Sequence, residues 1–382
     1  MNNRGLYIHI PFCKSKCLYC NFGSTALSDI KTTKVDLLRH YLTALKKELE
    51  YYPYSAVRTV YVGGGTPTVL EADDLADLLD FCRQHFKINP EAEISVEANP
   101  GTLNENKLSI LKKAGVNRLS LGVQSFNGRL LKEIGRIHTA REVLDNFRLA
   151  RDIGFDNINI DLIFALPGES FQEWQNDLKK AAELTPEHIS VYNLTLEEGT
   201  ELYNRWQAGQ LEKASNDLEA MMYEEAISFL TGEGWHHYEI ANFARPGRQS
   251  RHNNIYWKNE EYIGIGAGAT SYIDGVRYTN TRIPEMYIKK VLARTGSDED
   301  KEFPYPWVEE LEKLDGKKKL GEAVMLGLRI REGIKLTHEI QENFSRQIEE
   351  LIEKRLLEKK DNNLKLTHQG LMLANQVYQE FV

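Results

Sequence analysis

The chain has 382 residues, 41% of them hydrophobic and 27% charged, with a formal net charge of −8. This composition belongs to a folded globular protein and excludes wholesale disorder, and the acidic balance argues against holding nucleic acid by bulk electrostatics. Four cysteines are too sparse for a disulfide scaffold, and three of them crowd between Cys13 and Cys20.

The first residues carry no apolar leader, and no uncharged apolar run reaches the roughly 20 residues needed to span a bilayer. A cytoplasmic protein in a reducing compartment is expected, where clustered thiols bind metal more often than they pair. Along the chain, short runs rich in Ile, Val, Leu and Tyr at 6–10, 57–62, 93–97, 118–123, 157–164 and 188–194 predict buried parallel strands. Amphipathic patterns at 35–51, 72–85, 105–114, 140–153 and 170–184 predict the helices between them. Repeated strand–helix units imply a parallel sheet with right-handed crossovers, and six units suggest an α/β fold with an open or partial barrel.

Residues 238–278, rich in aromatic, Asn and Gly residues, read as neither a simple helix nor a simple strand. From about 301 the chain turns charged and helical, with periods at 320–328 and 348–357. A turn and strand at 361–367 and a last helix at 369–381 follow, a pattern with winged-helix character. That tail holds 14 Lys and Arg against 15 Asp and Glu, which favours a packing or partner module over DNA binding. The expected organisation is a core barrel over 1–235, a connecting segment over 236–300 and a mainly helical C-terminal domain over 301–382.

In a parallel β/α barrel the reactive groups gather at the C-terminal ends of the strands. Those ends carry the thiol loop, then Gly63-Gly64-Gly65-Thr66-Pro67, Glu97 with Asn99, Gln124 with Ser125, Asp161, and Tyr192 with Asn193. Within the loop, Cys13-x-x-x-Cys17-x-x-Cys20 presents three thiolates, the usual ligands of iron–sulfur clusters. Three thiolates leave one iron of a cubane open for another ligand. A zinc site completed by His9 is the competing reading, but no second C-x-x-C pair is present. Cys82, beside Leu78, Leu79 and Phe81 in a helical stretch, reads as a buried core thiol.

The loop Cys13-Lys14-Ser15-Lys16-Cys17-Leu18-Tyr19-Cys20, followed by the glycines after the second strand, resembles the radical S-adenosylmethionine (radical SAM) superfamily. Tyr7-Ile8-His9-Ile10-Pro11-Phe12, Glu97-Ala98-Asn99-Pro100, Gly122-Val123-Gln124-Ser125-Phe126 and Gly135-Arg136-Ile137-His138 are similar to its coproporphyrinogen-dehydrogenase-like branch. Two features favour the heme chaperone family within that branch. Phe22 stands where the dehydrogenase pattern has a fourth cysteine, and His252-Asn253-Asn254-Ile255-Tyr256-Trp257 matches the chaperones' H-N-x-x-Y-W motif.

The resemblance implies a partial (β/α)6 barrel whose cofactors are a 4Fe–4S cluster on Cys13, Cys17 and Cys20, S-adenosylmethionine and heme. The S-adenosylmethionine pocket would be lined by Tyr7, Tyr19, Gly64, Gly65, Thr66, Glu97, Gln124, Arg136 and Asp161, with His252 a heme ligand. The implied partner is a heme-acceptor protein such as a membrane respiratory protein, with a homodimer compatible. An oxygen-independent coproporphyrinogen III oxidase is the alternative, and a radical SAM protein acting on an unrelated substrate is a third class.

Overall fold

Strand and helix alternate through the first half of the chain. The computed structural model describes residues 4–30, 33–294 and 303–382, so the expected boundary at 300–301 lies outside the described residues. β1 (Arg4–Ile10) leads into two short paired strands, β2 (Phe12–Cys13) and β3 (Thr25–Ala26), which clamp the two ends of the thiol loop. There follow α1 (Lys34–Leu49), β4 (Ala56–Gly64), α2 (Ala72–His85), β5 (Lys87–Ala98), α3 (Glu105–Lys113) and β6 (Arg118–Gln124). The unit closes with α4 (Gly128–Glu133), α5 (Ala140–Asp152), β7 (Ile158–Phe164), α6 (Phe171–Glu183) and β8 (His188–Asn193). Helix starts are chemically marked: Thr139 with Glu142, and Ser170 with Glu173, form reciprocal capping boxes that open α5 and α6.

All six predicted strands are present, paired in parallel in the order β1-β4-β5-β6-β7-β8. Side chains alternate across the sheet with a period of two. Leu6, Ile8, Val60, Val62, Val96, Leu119, Leu121, Ile160, Leu162, Ile189 and Val191 fall on one face, buried in the core shared with the helices. The register places polar residues in rows on the other face. Tyr7, Tyr61, Ser95 and Arg118 are successive partners, as are Glu97, Ser120, Asn159 and His188, and above them Gly122, Asp161 and Ser190. The concave face is therefore a polar lumen.

The stretch read from sequence as connecting over 236–300 supplies strands to both edges of this sheet, and Val308–Lys313, expected within the helical C-terminal domain, is instead a further edge strand. After α7 (Glu201–Gln207) and α8 (Asn216–Gly232), β9 (His236–Glu239) and β10 (Asn242–Ala244) add antiparallel strands beside β8. α9 (Arg251–Trp257) crosses to the other edge, where β11 (Tyr262–Ile265) joins β1 in parallel. β12 (Thr270–Ile273), β13 (Val276–Asn280) and, after α10 (Pro284–Ala293), β14 (Val308–Lys313) complete the edge in antiparallel fashion. The twelve strands end at β14 and β9, which do not pair with each other, so the barrel is open.

The C-terminal region is mainly helical: α11 (Gly316–Gly327), α12 (His338–Glu353), α13 (His368–Met372) and α14 (Ala374–Gln379). A small sheet of β15 (Ile334–Lys335), β16 (Leu357–Lys360) and β17 (Asn363–Leu366) supplies the wing-like hairpin. It has its own core around Val324, Phe344, Ile348, Leu364 and Val377. It is fastened to the barrel by the Arg277 Nη1–Glu322 Oε2 contact at 2.7 Å and by backbone bonds from Ile240 N to Arg329 O and Arg331 N to Tyr238 O.

One buried carboxylate ties the far edge to the barrel. Glu48 of α1 is fully buried and accepts from Gly266 N at 2.9 Å, Asn280 Nδ2 at 2.7 Å, Trp307 Nε1 at 3.1 Å and the Tyr287 hydroxyl. Burial pushes its pKa up from 4.5 to about 7 despite these donors. The folded state thus holds this proton more tightly than the unfolded chain. The group's contribution to stability is full below about 4.5 and is lost as pH rises through about 7. Glu48→Ala should orphan these donors and cost about 3 kcal/mol or more, read as a lower urea midpoint. It should also flatten the loss of stability between those pH values; an unchanged midpoint would contradict this role.

Candidate functional site

The thiol loop is seated on the mouth of the lumen by backbone bonds: Leu18 N donates to Ile134 O at 3.0 Å, and Leu202 N donates to Leu18 O at 3.0 Å. Close packing at Gly135 assists, since a Cβ there would lie 2.7 Å from the Leu18 side chain and its φ is +74°. Each sulfur has a polar neighbour. Thr66 Oγ1 donates to Cys13 Sγ at 3.5 Å, Arg136 Nη1 donates to Cys17 Sγ at 3.4 Å, and the Ser24 hydroxyl lies 3.7 Å from Cys20 Sγ. Asn99 links the first two donors: its Nδ2 donates to Thr66 Oγ1 at 2.7 Å and its Oδ1 accepts from Arg136 Nη2 at 2.7 Å. Arg136 also donates to the Gly122 carbonyl. One hydrogen-bonded chain therefore supports the sulfurs of Cys13 and Cys17 from behind.

Below the thiols a cavity of about 530 Å3 opens into the lumen. Cys13, Cys17, Tyr19, Cys20, Gly64, Gly65, Glu97, Gln124, Arg136 and Asp161 all line it. Thr66 stands behind Cys13, and Tyr7 lies one layer back, its ring stacked 6.2 Å from that of Tyr61 and its hydroxyl 2.9 Å from His9 Nδ1. Ser125, expected on the rim, is instead fully buried and donates to Asp177.

The two lumen carboxylates are held differently. Glu97 accepts from the Tyr61 hydroxyl at 2.7 Å and from Gly64 N at 2.9 Å, and burial raises it to about 7. Asp161 accepts from Ser120 Oγ at 3.0 Å and Asn159 Nδ2 at 2.7 Å and is likewise raised by burial. Gln124 follows a register shift between Gly122 and Gln124 and has a φ of +66°. Non-glycine residues rarely adopt that conformation, which turns its amide into the cavity.

His252 lies elsewhere. It is 1% exposed at the floor of the lumen, where α9 plugs the barrel. Glu93 of β5 accepts from Arg251 N and His252 N, both at 3.1 Å, capping the helix start. The imidazole stacks on Tyr61 at 5.1 Å; Nδ1 contacts Thr59 Oγ1 and Nε2 the Tyr256 hydroxyl, each at 2.8 Å. Burial lowers its pKa to about 3, so the ring is neutral and both nitrogens are engaged. Its motif neighbour Asn253, rather than His252, lines the cavity.

Reasoning from strand ends alone misses Tyr61, Arg118, Ser120, Asn159 and Ser190, which lie deeper in the strands yet also line the cavity. The donor set fits an iron–sulfur cluster: three sulfurs on one loop with polar neighbours. The remaining cysteine, Cys82, is sealed in the core on the helix side of the sheet.

The model of the radical SAM superfamily matches residues 7–181, and that of the HemN C-terminal domain matches residues 314–373. The chain is 38% identical to the heme chaperone HemW of Lactococcus lactis, over 98% of this chain and 96% of that protein. To the HemW of Bacillus subtilis it is 38% identical over 99% of each. The chain belongs to the HemW family. A mitochondrial radical S-adenosyl methionine domain-containing protein 1 of Danio rerio is 33% identical over 97% of this chain and 85% of its own length. The solved structure of Escherichia coli coproporphyrinogen III oxidase HemN superposes with a TM-score of 0.82 at 24% identity, covering 100% of this chain and 90% of that one. It has the same fold.

The glycine turn beside the thiols gives a sharp test. Gly64 has a φ of +112°, and a Cβ there would come within 2.5 Å of the His9 ring, whereas a Cβ at Gly23 would meet nothing within 4 Å. Gly64→Ala should cost about 2 kcal/mol or more and Gly23→Ala less than about 0.5 kcal/mol. Equal melting temperatures for the two variants would contradict the close approach of Gly64 to His9.

Proposed function

We propose that the chain is a cytoplasmic heme chaperone, which binds heme and passes it to an acceptor protein. The supporting observation is its likeness, over almost its whole length, to curated proteins bearing that name. Cys13, Cys17 and Cys20 would hold a 4Fe–4S cluster, with S-adenosylmethionine in the cavity beside it. Bound there, the pair supplies one-electron chemistry. The chain's part is to position it. Gly64 and Gly65 let the backbone approach the methionine portion, Arg136 pairs with a carboxylate, and Glu97, Asp161 and Gln124 hydrogen-bond polar groups. Tyr19 would complete the wall, with Tyr7 one layer behind it. No helix among the described residues is long and apolar enough to cross a membrane, and a homodimer is part of this reading.

The alternative is an oxygen-independent coproporphyrinogen III oxidase, which the shared fold accommodates. Phe22 argues against it. It stands where the oxidase pattern has a fourth cysteine and is 67% exposed at the mouth of the cavity. Anaerobic incubation of the cluster-reconstituted protein with coproporphyrinogen III and S-adenosylmethionine should therefore yield no protoporphyrinogen. Multiple turnovers would overturn the chaperone reading.

His252 enters this reading at a cost that the geometry defines. To ligate heme iron it must give up its contact with Tyr256 or Thr59, and α9 must leave the floor. Two such hydrogen bonds are worth about 2 kcal/mol. Hemin ligated through His252 should accelerate amide hydrogen exchange across α9, and His252→Ala should change the heme absorption spectrum. Unchanged exchange together with an unchanged spectrum would remove His252 from the heme site.

A further inference from the structure

Arg118 opens β6 at the lumen floor, in the row it shares with Ser95, Tyr61 and Tyr7. It is 2% exposed, lines the cavity, and its Nε has no hydrogen-bond partner. The carboxylates that feel its charge, Glu97 and Asp161, are bonded to Tyr61 and Gly64 and to Ser120 and Asn159. Among the described residues, none forms an ion pair with its guanidinium. The histidines near it, His188 and His252, are held neutral by burial. A desolvated cation with no hydrogen-bonded counter-ion is unfavourable. A planar fork of N–H donors facing a cavity matches one ligand group above others, a carboxylate bound through two parallel hydrogen bonds.

We propose that Arg118 anchors a carboxylate of the ligand occupying this cavity. The group is a heme propionate, which rests on the heme-binding reading above; the single carboxylate of S-adenosylmethionine belongs with Arg136 at the thiol end. Arg136 already serves the thiol end of the cavity, so Arg118 reads the opposite end, beside the α9 plug.

The test compares wild type, Arg118→Gln and Arg118→Lys as full-length, cluster-reconstituted protein. Binding is titrated with hemin and its dimethyl ester, and with S-adenosylmethionine and its decarboxylated analogue. Arg118→Gln should weaken hemin, the carboxylate-bearing member of its pair, by about 10-fold to 100-fold. The member lacking the carboxylate should change by less than about twofold, and Arg118→Lys should fall between. Loss confined to hemin assigns the propionate, and loss confined to S-adenosylmethionine overturns the assignment. Equal losses for both members, or no loss in either pair, overturn the site. If circular dichroism shows Arg118→Gln unfolded, Arg118→Lys carries the same comparison. A wild type that binds neither iron porphyrin defeats the heme reading and the propionate anchor with it.

Discussion

The two-residue period of a parallel strand, held in register across six neighbours, is the constraint on which this structure depends. It sends most of the Leu, Ile and Val of the strands to the helices and the polar residues between them to the concave side, where Ile163 is an apolar exception. A slip of one residue in any strand would bury its polar set against the helices and bare its apolar set to the cavity. The lumen is thus polar by construction. Rows of hydroxyl, amide and charged groups give a cavity that receives a polar ligand beneath the thiol loop.

The two ends of that lumen are closed by different chemistry. At the mouth, the Thr66–Asn99–Arg136 chain aims donors at sulfur, and glycines at 64 and 135 bring backbone and thiol loop together. At the floor, the H-N-x-x-Y-W motif forms a short helix whose start is capped by Glu93 and whose imidazole bonds to Thr59 and Tyr256. Trp257 of the same helix lies under the Arg329 guanidinium, 4.3 Å from its ring centroid, which couples the floor to the C-terminal region. Any movement of α9 is therefore felt both in the lumen and in the helical module beyond it.

Much of the barrel was legible in the sequence because buried parallel strands and capped amphipathic helices carry strong local patterns. The strands at β1, β4, β6, β7 and β8 lie within about two residues of their expected bounds, whereas β5 begins earlier, at Lys87. Residues 236–280 were not legible, because three- to five-residue strands rich in Asn, Gly and aromatics carry little periodic signal. The rim of the site was readable from strand ends. Its depth was not, although Arg118 with Ser120, Asn159 with Asp161 and His188 with Ser190 showed polar residues at every second position. Their hydrophobic neighbours masked that alternation. Glu48 left no trace in the sequence, since its partners lie more than two hundred positions away.

Under the proposed function, the polar lumen and its thiol-bearing mouth would serve a protein whose cargo is heme. The most direct measurement is a hemin titration of the intact, anaerobically cluster-reconstituted protein, followed by absorbance in the Soret region. A saturable spectral change reaching its end point at one hemin per chain is the predicted result. A featureless titration, with hemin behaving as it does in buffer, would contradict the account.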